Sequence, residues 1–409
     1  MLVSRQRTAT TLLTLAICLI SPRAFGQFHN SCNAHDWAGI KQEAAGSSTL
    51  LCQGVANIAL GRPALGRKIL LRVIKSAPHS DSAFEAYGAL LSLYERTGQV
   101  RKASREISLL LAIHADDKSA LNDSSLFEVL ARSPNMTVTH LRPVSFARAA
   151  TQGSLNIPFT VNGKSATFYV DTGANLSVIS DDEARALGLS IVPVSSTAQD
   201  IGGLNSPLQV TEIEELRIGP IRLRHVPFLV MPAAKPPFDN LPKENQGLLG
   251  IQVAIALQSI RLNSNGQLDL AFPNEDSASA PHLTFSDLMP TLHLSYHNKV
   301  VPFTLDTGAG HSMLSPPFAR DFPEAVSVGV KTNHDVNGFG GTAHIDSVEL
   351  PTWTIDLGGR TATMKSMPVL LRKTGDSSEW AVGNLGIDLF QQVTPFTIDF
   401  RNMQWILGH

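Results

Sequence analysis

One short pattern occurs twice in this chain, and the repetition limits the folds open to it more than any other feature. The first copy runs Phe168-Tyr169-Val170-Asp171-Thr172-Gly173-Ala174-Asn175-Leu176-Ser177. The second runs Phe303-Thr304-Leu305-Asp306-Thr307-Gly308-Ala309-Gly310-His311-Ser312. Each leads an apolar strand into Asp-Thr-Gly-Ala and places a serine at the same offset, with the two aspartates 135 residues apart. A lone Asp-Thr-Gly says little, because these residue types also make ordinary turns. Two copies say more if their surroundings also agree.

The surroundings do agree. Residues 157–161, Asn162-Gly163 and residues 166–170 predict a hairpin with a type I′ turn that delivers Asp171 at its end. Residues 292–294 and 300–305 stand in the same place before Asp306. Ile201-Gly202-Gly203 lies about thirty residues after Asp171, and Gly338-Phe339-Gly340-Gly341 lies similarly after Asp306. Val226-Pro227-Phe228 is answered by Met367-Pro368-Val369, and Leu248-Leu249-Gly250-Ile251 by Asn384-Leu385-Gly386-Ile387. Each copy closes in a strand–turn–strand, at 260–272 and 396–407. Short β-branched runs between Gly, Asn and Pro make both copies all-β. Between the landmarks, Ser180 caps a short helix that Gly188 ends, so Asp181 and Asp182 are first-turn residues that favour the helix dipole.

The rest of the chain divides around this duplication into 1–26, 27–135, 136–275 and 281–409. Residues 1–26 predict a secretory signal: Arg5 and Arg7, an apolar run over 12–20, and Ala24-Phe25-Gly26 as a cleavage site. That run is too short to span a bilayer. The expectation is a secreted or periplasmic protein with no membrane span once the signal is removed. Residues 27–135 carry helical periodicity over 48–60, 63–74, 83–96 (capped by Asp81 or Ser82) and 101–114. Gly61 and Gly98 recur 37 residues apart, which predicts stacked helix pairs. Cys32 and Cys52 either form a disulfide or remain two buried thiols. Ser133-Pro134-Asn135 opens a linker. A net charge of −2 without a basic block excludes a nucleic-acid binder.

The paired units resemble the retropepsin-like aspartic protease family, on the strength of Asp-Thr-Gly-Ala after a hairpin, a glycine-rich hairpin beyond it, and the apolar-apolar-Gly-Ile segment. The spacing of Tyr94, Gly98 and Ala103 is similar to that of a tetratricopeptide repeat, with an unrelated helical bundle as the alternative. The resemblance implies N-terminal helical hairpins followed by two closed-barrel lobes that pair about a pseudo-two-fold axis. It implies an aspartic endopeptidase acting on peptides or proteins, with Asp171 and Asp306 as catalytic dyad and no metal or cofactor. Thr172 and Thr307 would hydrogen-bond across to the opposite strand. Gly173, Ala174, Gly308 and Ala309 would complete the loops, and Gly202, Gly203, Gly338, Gly340 and Gly341 would form flaps.

Two like-charged carboxyls held together cannot both ionise easily, so one keeps its proton while the other activates water. The copies differ at Asn175 and Gly310, which predicts an asymmetric dyad; His311 is expected to face outward. Two other arrangements remain: a non-catalytic peptide-binding pair whose helical region recruits a partner protein, and lobes that pair between chains. His-Glu-x-x-His and Gly-x-Ser-x-Gly are both absent, which removes the usual signatures of metallohydrolases and serine hydrolases.

Overall fold

The computed structural model describes residues 32, 36–46, 49–147, 155–199, 205–235, 238–239, 241–274, 282–338, 341–374 and 379–408. The expected signal at 1–26 lies outside them. Helices come first: α1 (Trp37–Ala44), α2 (Leu50–Ala59), α3 (Pro63–Ser76), α4 (Asp81–Glu95), α5 (Val100–Ile113) and α6 (Lys118–Leu130). Side chains of Thr49, Ser80 and Asp117 accept the first free N–H groups of α2, α4 and α6. The cap of α4 is thus Ser80 rather than Asp81 or Ser82; Asp81 occupies the first turn, where its charge meets the positive helix end.

The 37-residue recurrence is a recurrence of geometry. Gly61 and Gly98 have φ of +70° and +65° and follow α2 and α4. Gly61 and Arg62 donate to Ile58 and Asn57, and Gly98 and Gln99 donate to Glu95 and Tyr94 in the same pattern. Cys32 and Cys52 are joined as a disulfide, which settles the choice left open above.

The strands follow. β1 (Thr137–Thr139) and β2 (Val144–Phe146) arise at the start of the 136–275 unit, just beyond Ser133-Pro134-Asn135. They are edge strands, each too short to carry a periodic signal, and they pair with distant partners. Next come β3 (Asn156–Val161), β4 (Lys164–Val170), β5 (Ser177–Ser180), then α7 (Asp181–Leu187), β6 (Val192–Gln199), β7 (Asn205–Ile218), β8 (Ile221–Met231) and β9 (Gly247–Leu249). These join β1 in an eight-stranded sheet of order β1-β8-β5-β9-β4-β3-β7-β6, and a further β7–β8 pairing closes it into a barrel. Asn162 and Gly163 both have positive φ in the β3–β4 turn, as a type I′ turn requires.

The second copy supplies β12 (Leu283–Ser286), β13 (Met289–Tyr296), β14 (Lys299–Leu305), β15 (Met313–Leu314), β16 (Val330–Gly338), β17 (Gly341–Asp356), β18 (Thr361–Leu370) and β19 (Gly383–Leu385). Their order is β12-β13-β14-β19-β15-β18-β17-β16, with no closing pairing among the described residues. The two strand–turn–strand endings, β10 (Ser259–Leu262) with β11 (Leu268–Leu270) and β20 (Phe396–Asp399) with β21 (Gln404–Leu407), form a third sheet with β2. In it β10 runs antiparallel to β20, so the two copies share backbone hydrogen bonds. One hydrophobic core runs through all three sheets, including Phe168, Phe303, Ile260 and Phe396.

The helical region is bonded to both copies. The Arg96 guanidinium is buried, donates to Asp287 O at 2.6 Å and Ile58 O at 3.2 Å, and lies 4.3 Å from the Phe285 ring centre. Burial lowers its pKa to about 10, so it stays charged at neutral pH. On the other copy, Asn122 of α6 donates to Thr197 O and accepts from Thr197 N–H, at 3.1 and 3.0 Å. A second core joins Leu126 and Phe127 of α6 with Leu208, Val210, Ala174 and Leu176 of the barrel.

Candidate active site

The two Asp-Thr-Gly loops are built alike. β4 and β14 end at the aspartates, and each pairs in parallel with a short strand, β9 or β19. Asp171 N–H donates to Leu249 O and Asp306 N–H to Leu385 O, both at 3.0 Å. Ile251 N–H reaches Ala174 O and Ile387 N–H reaches Ala309 O, both at 2.9 Å. The glycine before each isoleucine has no room for a side chain. A Cβ on Gly250 would lie 2.8 Å from Ala174 O, and one on Gly386 would lie 2.6 Å from Ala309 O. Ser177 and Ser312 accept the N–H groups of these same glycines, at 3.0 and 2.8 Å. The common serine of the two motifs thereby anchors each loop from below.

The loops then lock onto each other within one chain. Thr172 Oγ1 donates to Leu305 O and Thr307 Oγ1 to Val170 O, both at 2.7 Å. Each hydroxyl also accepts the other threonine's N–H, at 3.0 and 3.2 Å. All four groups are buried, so removing either hydroxyl would leave polar backbone unpaired. The glycines that follow let the carboxyls come close. A Cβ on Gly173 would stand 2.6 Å from Asp306 Cγ, and one on Gly308 would stand 2.2 Å from Asp171 Cγ. Asp171 and Asp306 are therefore brought together, each carboxyl against the opposite loop.

Both carboxyls are fully buried. Their inner oxygens have matching partners: Asp171 Oδ1 accepts from Gly173 and Ala174 N–H at 2.9 and 3.1 Å, and Asp306 Oδ1 accepts from Gly308 and Ala309 N–H, both at 3.0 Å. Burial, then the charge of Asp306, raises Asp171 well above the usual carboxylate range. Asp306 is raised too, by burial, but the Asn384 amide opposes the rise. Asn384 Nδ2 donates to Asp306 Oδ2 at 2.9 Å, whereas Asp171 Oδ2 meets no amide or hydroxyl donor among the described residues.

The other expected residues fall as follows. His311 is well exposed, lies 3.8 Å from Asp388, and is raised by that carboxylate rather than by the dyad. Asn175 is buried, and bonds neither aspartate. Gly338 and Gly341 face each other at the end of the β16–β17 ladder. Gly202, Gly203 and Gly340 lie outside the described residues. The sequence reading passed over Asn384 and Thr304. The available signal was a polar residue in the apolar-apolar-Gly-Ile segment, opposite Leu248 of the first copy.

Residues 157–253 match the family described as aspartyl protease, a span that holds Asp171 and the whole β4–β9 support and ends before Asp306. Over these residues the chain is similar to that family. No curated protein matches it. Among solved structures it is similar to a retropepsin-like aspartic protease from Rickettsia conorii, with 18% identity over 34% of this chain and 94% of that one, and a TM-score of 0.23. That match supports a protease-like function for residues 157–253.

Proposed function

We propose that the chain is an exported aspartic endopeptidase that uses Asp171 and Asp306 as one acid–base dyad. The observation that carries this reading is the pair of Asp-Thr-Gly loops interlocked through Thr172 and Thr307, which sets each buried carboxyl against the glycine of the opposite loop. The dyad with one proton holds a water between the carboxyls. The ionised carboxyl takes a proton from that water as its oxygen attacks the peptide carbonyl, and the protonated carboxyl gives its proton to the carbonyl oxygen. When the resulting diol collapses, a diol hydroxyl returns a proton to the dyad. The other carboxyl protonates the nitrogen as the C–N bond breaks. The net change is addition of water across the amide, with the dyad restored.

In this reading the two all-β units act as lobes of a pseudo-two-fold pair, and the β6–β7 and β16–β17 hairpins act as flaps over an extended peptide. The helical region serves as a tetratricopeptide-like docking module for a partner protein. Export is supported by the signal pattern at 1–26 and by the Cys32–Cys52 disulfide, which suits an oxidising compartment. The test is cleavage of fluorescein-labelled casein from about pH 4 to 7, with pepstatin as inhibitor. Asp171→Asn and Asp306→Asn are each expected to lower the rate by about 10²–10⁴-fold. Unchanged cleavage by either variant would sink the dyad. Casein binding without turnover by the unaltered protein would return the chain to the non-catalytic alternative.

A further inference from the structure

We infer that Asn384 is a positioning residue that decides which carboxyl keeps the shared proton, making Asp306 the base and Asp171 the acid. The inference rests on the dyad reading and adds an order to it. Its basis is one register position. In the first copy the parallel pair beside the aspartate is Tyr169 with Leu248; in the second it is Thr304 with Asn384. Neither side chain of the first pair hydrogen-bonds Asp171 Oδ2, while the second presents an amide N–H to Asp306 Oδ2 at 2.9 Å.

The orientation of that amide follows from its other end. The Thr304 hydroxyl hydrogen-bonds Asn384 Oδ1, which leaves Nδ2 to face Asp306. An N–H donor favours the charged form of the oxygen it meets. Asp306 therefore ionises first, and Asp171, buried beside that charge, holds the proton. The titratable groups facing the pair are each other and Tyr169 of β4. Burial and both aspartates raise the Tyr169 pKa well above its usual value, so it remains neutral and adds no charge to either side.

The experiment uses the full chain and two variants, Asn384→Leu, which copies Leu248, and Asn384→Asp, which keeps the shape and loses the N–H. Two readouts are taken: the pH profile of kcat/KM on labelled casein, and carboxyl ¹³C titration of aspartate-labelled protein. The titration needs no turnover; Asp171→Asn and Asp306→Asn assign its signals. In the unaltered protein Asp306 is expected to ionise below Asp171. Loss of the donor raises the Asp306 pKa, so the acid limb of the profile moves up by about one pH unit in Asn384→Leu and further in Asn384→Asp. The alkaline limb, set by Asp171, moves less. An acid limb that stays put or moves down, or an Asp171 that ionises first, overturns the assignment. A chain that titrates in the expected order without cleaving casein upholds Asn384 and overturns the protease reading instead.

Discussion

The loops around Asp171 and Asp306 share almost every backbone contact and differ in what stands beside them. Both carboxyls are anchored by two N–H groups, both threonines cross to the opposite strand, and both glycines leave room for the facing aspartate. Beside Asp171 the neighbouring strands present Tyr169 and Leu248; beside Asp306 they present Thr304 and Asn384. The scaffold therefore dictates where the carboxyls sit, while one cross-strand pair dictates how each holds a proton. A duplicated unit can keep the first property and still diverge in the second, because positions beside the loop do not carry the interlock.

The largest test of the shared part adds one methyl group to each loop in turn. Gly308→Ala places a Cβ 2.2 Å from Asp171 Cγ, and Gly173→Ala places one 2.6 Å from Asp306 Cγ, both far inside van der Waals contact. The carboxyl must move by about an ångström, a displacement that can cost about 10²-fold in rate. Casein cleavage is expected to fall by at least that factor in both, and further in Gly308→Ala. Near-normal rates in Gly308→Ala would mean that the carboxyls have more freedom than this packing allows.

The unequal part can be read from stability. An Asp171 pKa raised above the unfolded value of about 3.9 means that the folded state holds a proton the unfolded state has released. Stability is then greatest below that unfolded value and falls as pH climbs toward the folded one. Asp171→Asn removes the penalty, so its Tm is expected to rise by about 2–4 °C near pH 7 and to match the unaltered protein near pH 3. Asp306→Asn gains less, because the Asn384 amide already offsets part of the burial of that carboxylate. Equal gains from the two variants would remove the inequality.

Much of this was legible in the sequence, and the gaps have physical causes. The landmarks around each Asp-Thr-Gly are glycines, prolines and turn pairs whose roles are local, and the strands and the Asn162-Gly163 hairpin lie where they were expected. The inequality was legible too, but it was attached to Asn175 and Gly310, which make no hydrogen bond to either carboxyl. Asn384 acts through β19 lying parallel to β14, and a linear pattern does not say which side chains such a long-range pairing sets face to face. The same reason hid the pairing of β10 with β20 and the use of 137–139 and 144–146 as edge strands. The Ser80 cap was missed by one residue because Asp81 and Ser82 are equally good capping types.

The smallest expected effect concerns the two glycine-rich hairpins. The β6–β7 hairpin is held from outside by α6: Asn122 makes two hydrogen bonds to the Thr197 backbone, and Ser196 Oγ donates to Asn122 O. The β16–β17 hairpin has no such helix partner among the described residues. If both hairpins open during turnover, the helix slows one of them. Asn122→Ala removes both side-chain bonds without touching the dyad, and each is worth about 0.5–1.5 kcal/mol. Amide exchange at Thr197 is expected to speed up by roughly tenfold while exchange along β16 stays unchanged. The KM for casein should shift by no more than a few-fold, with kcat preserved. Unchanged exchange at Thr197 would show that packing of Leu126 and Phe127 against Leu208 and Val210, rather than the two hydrogen bonds, holds this hairpin to the helices.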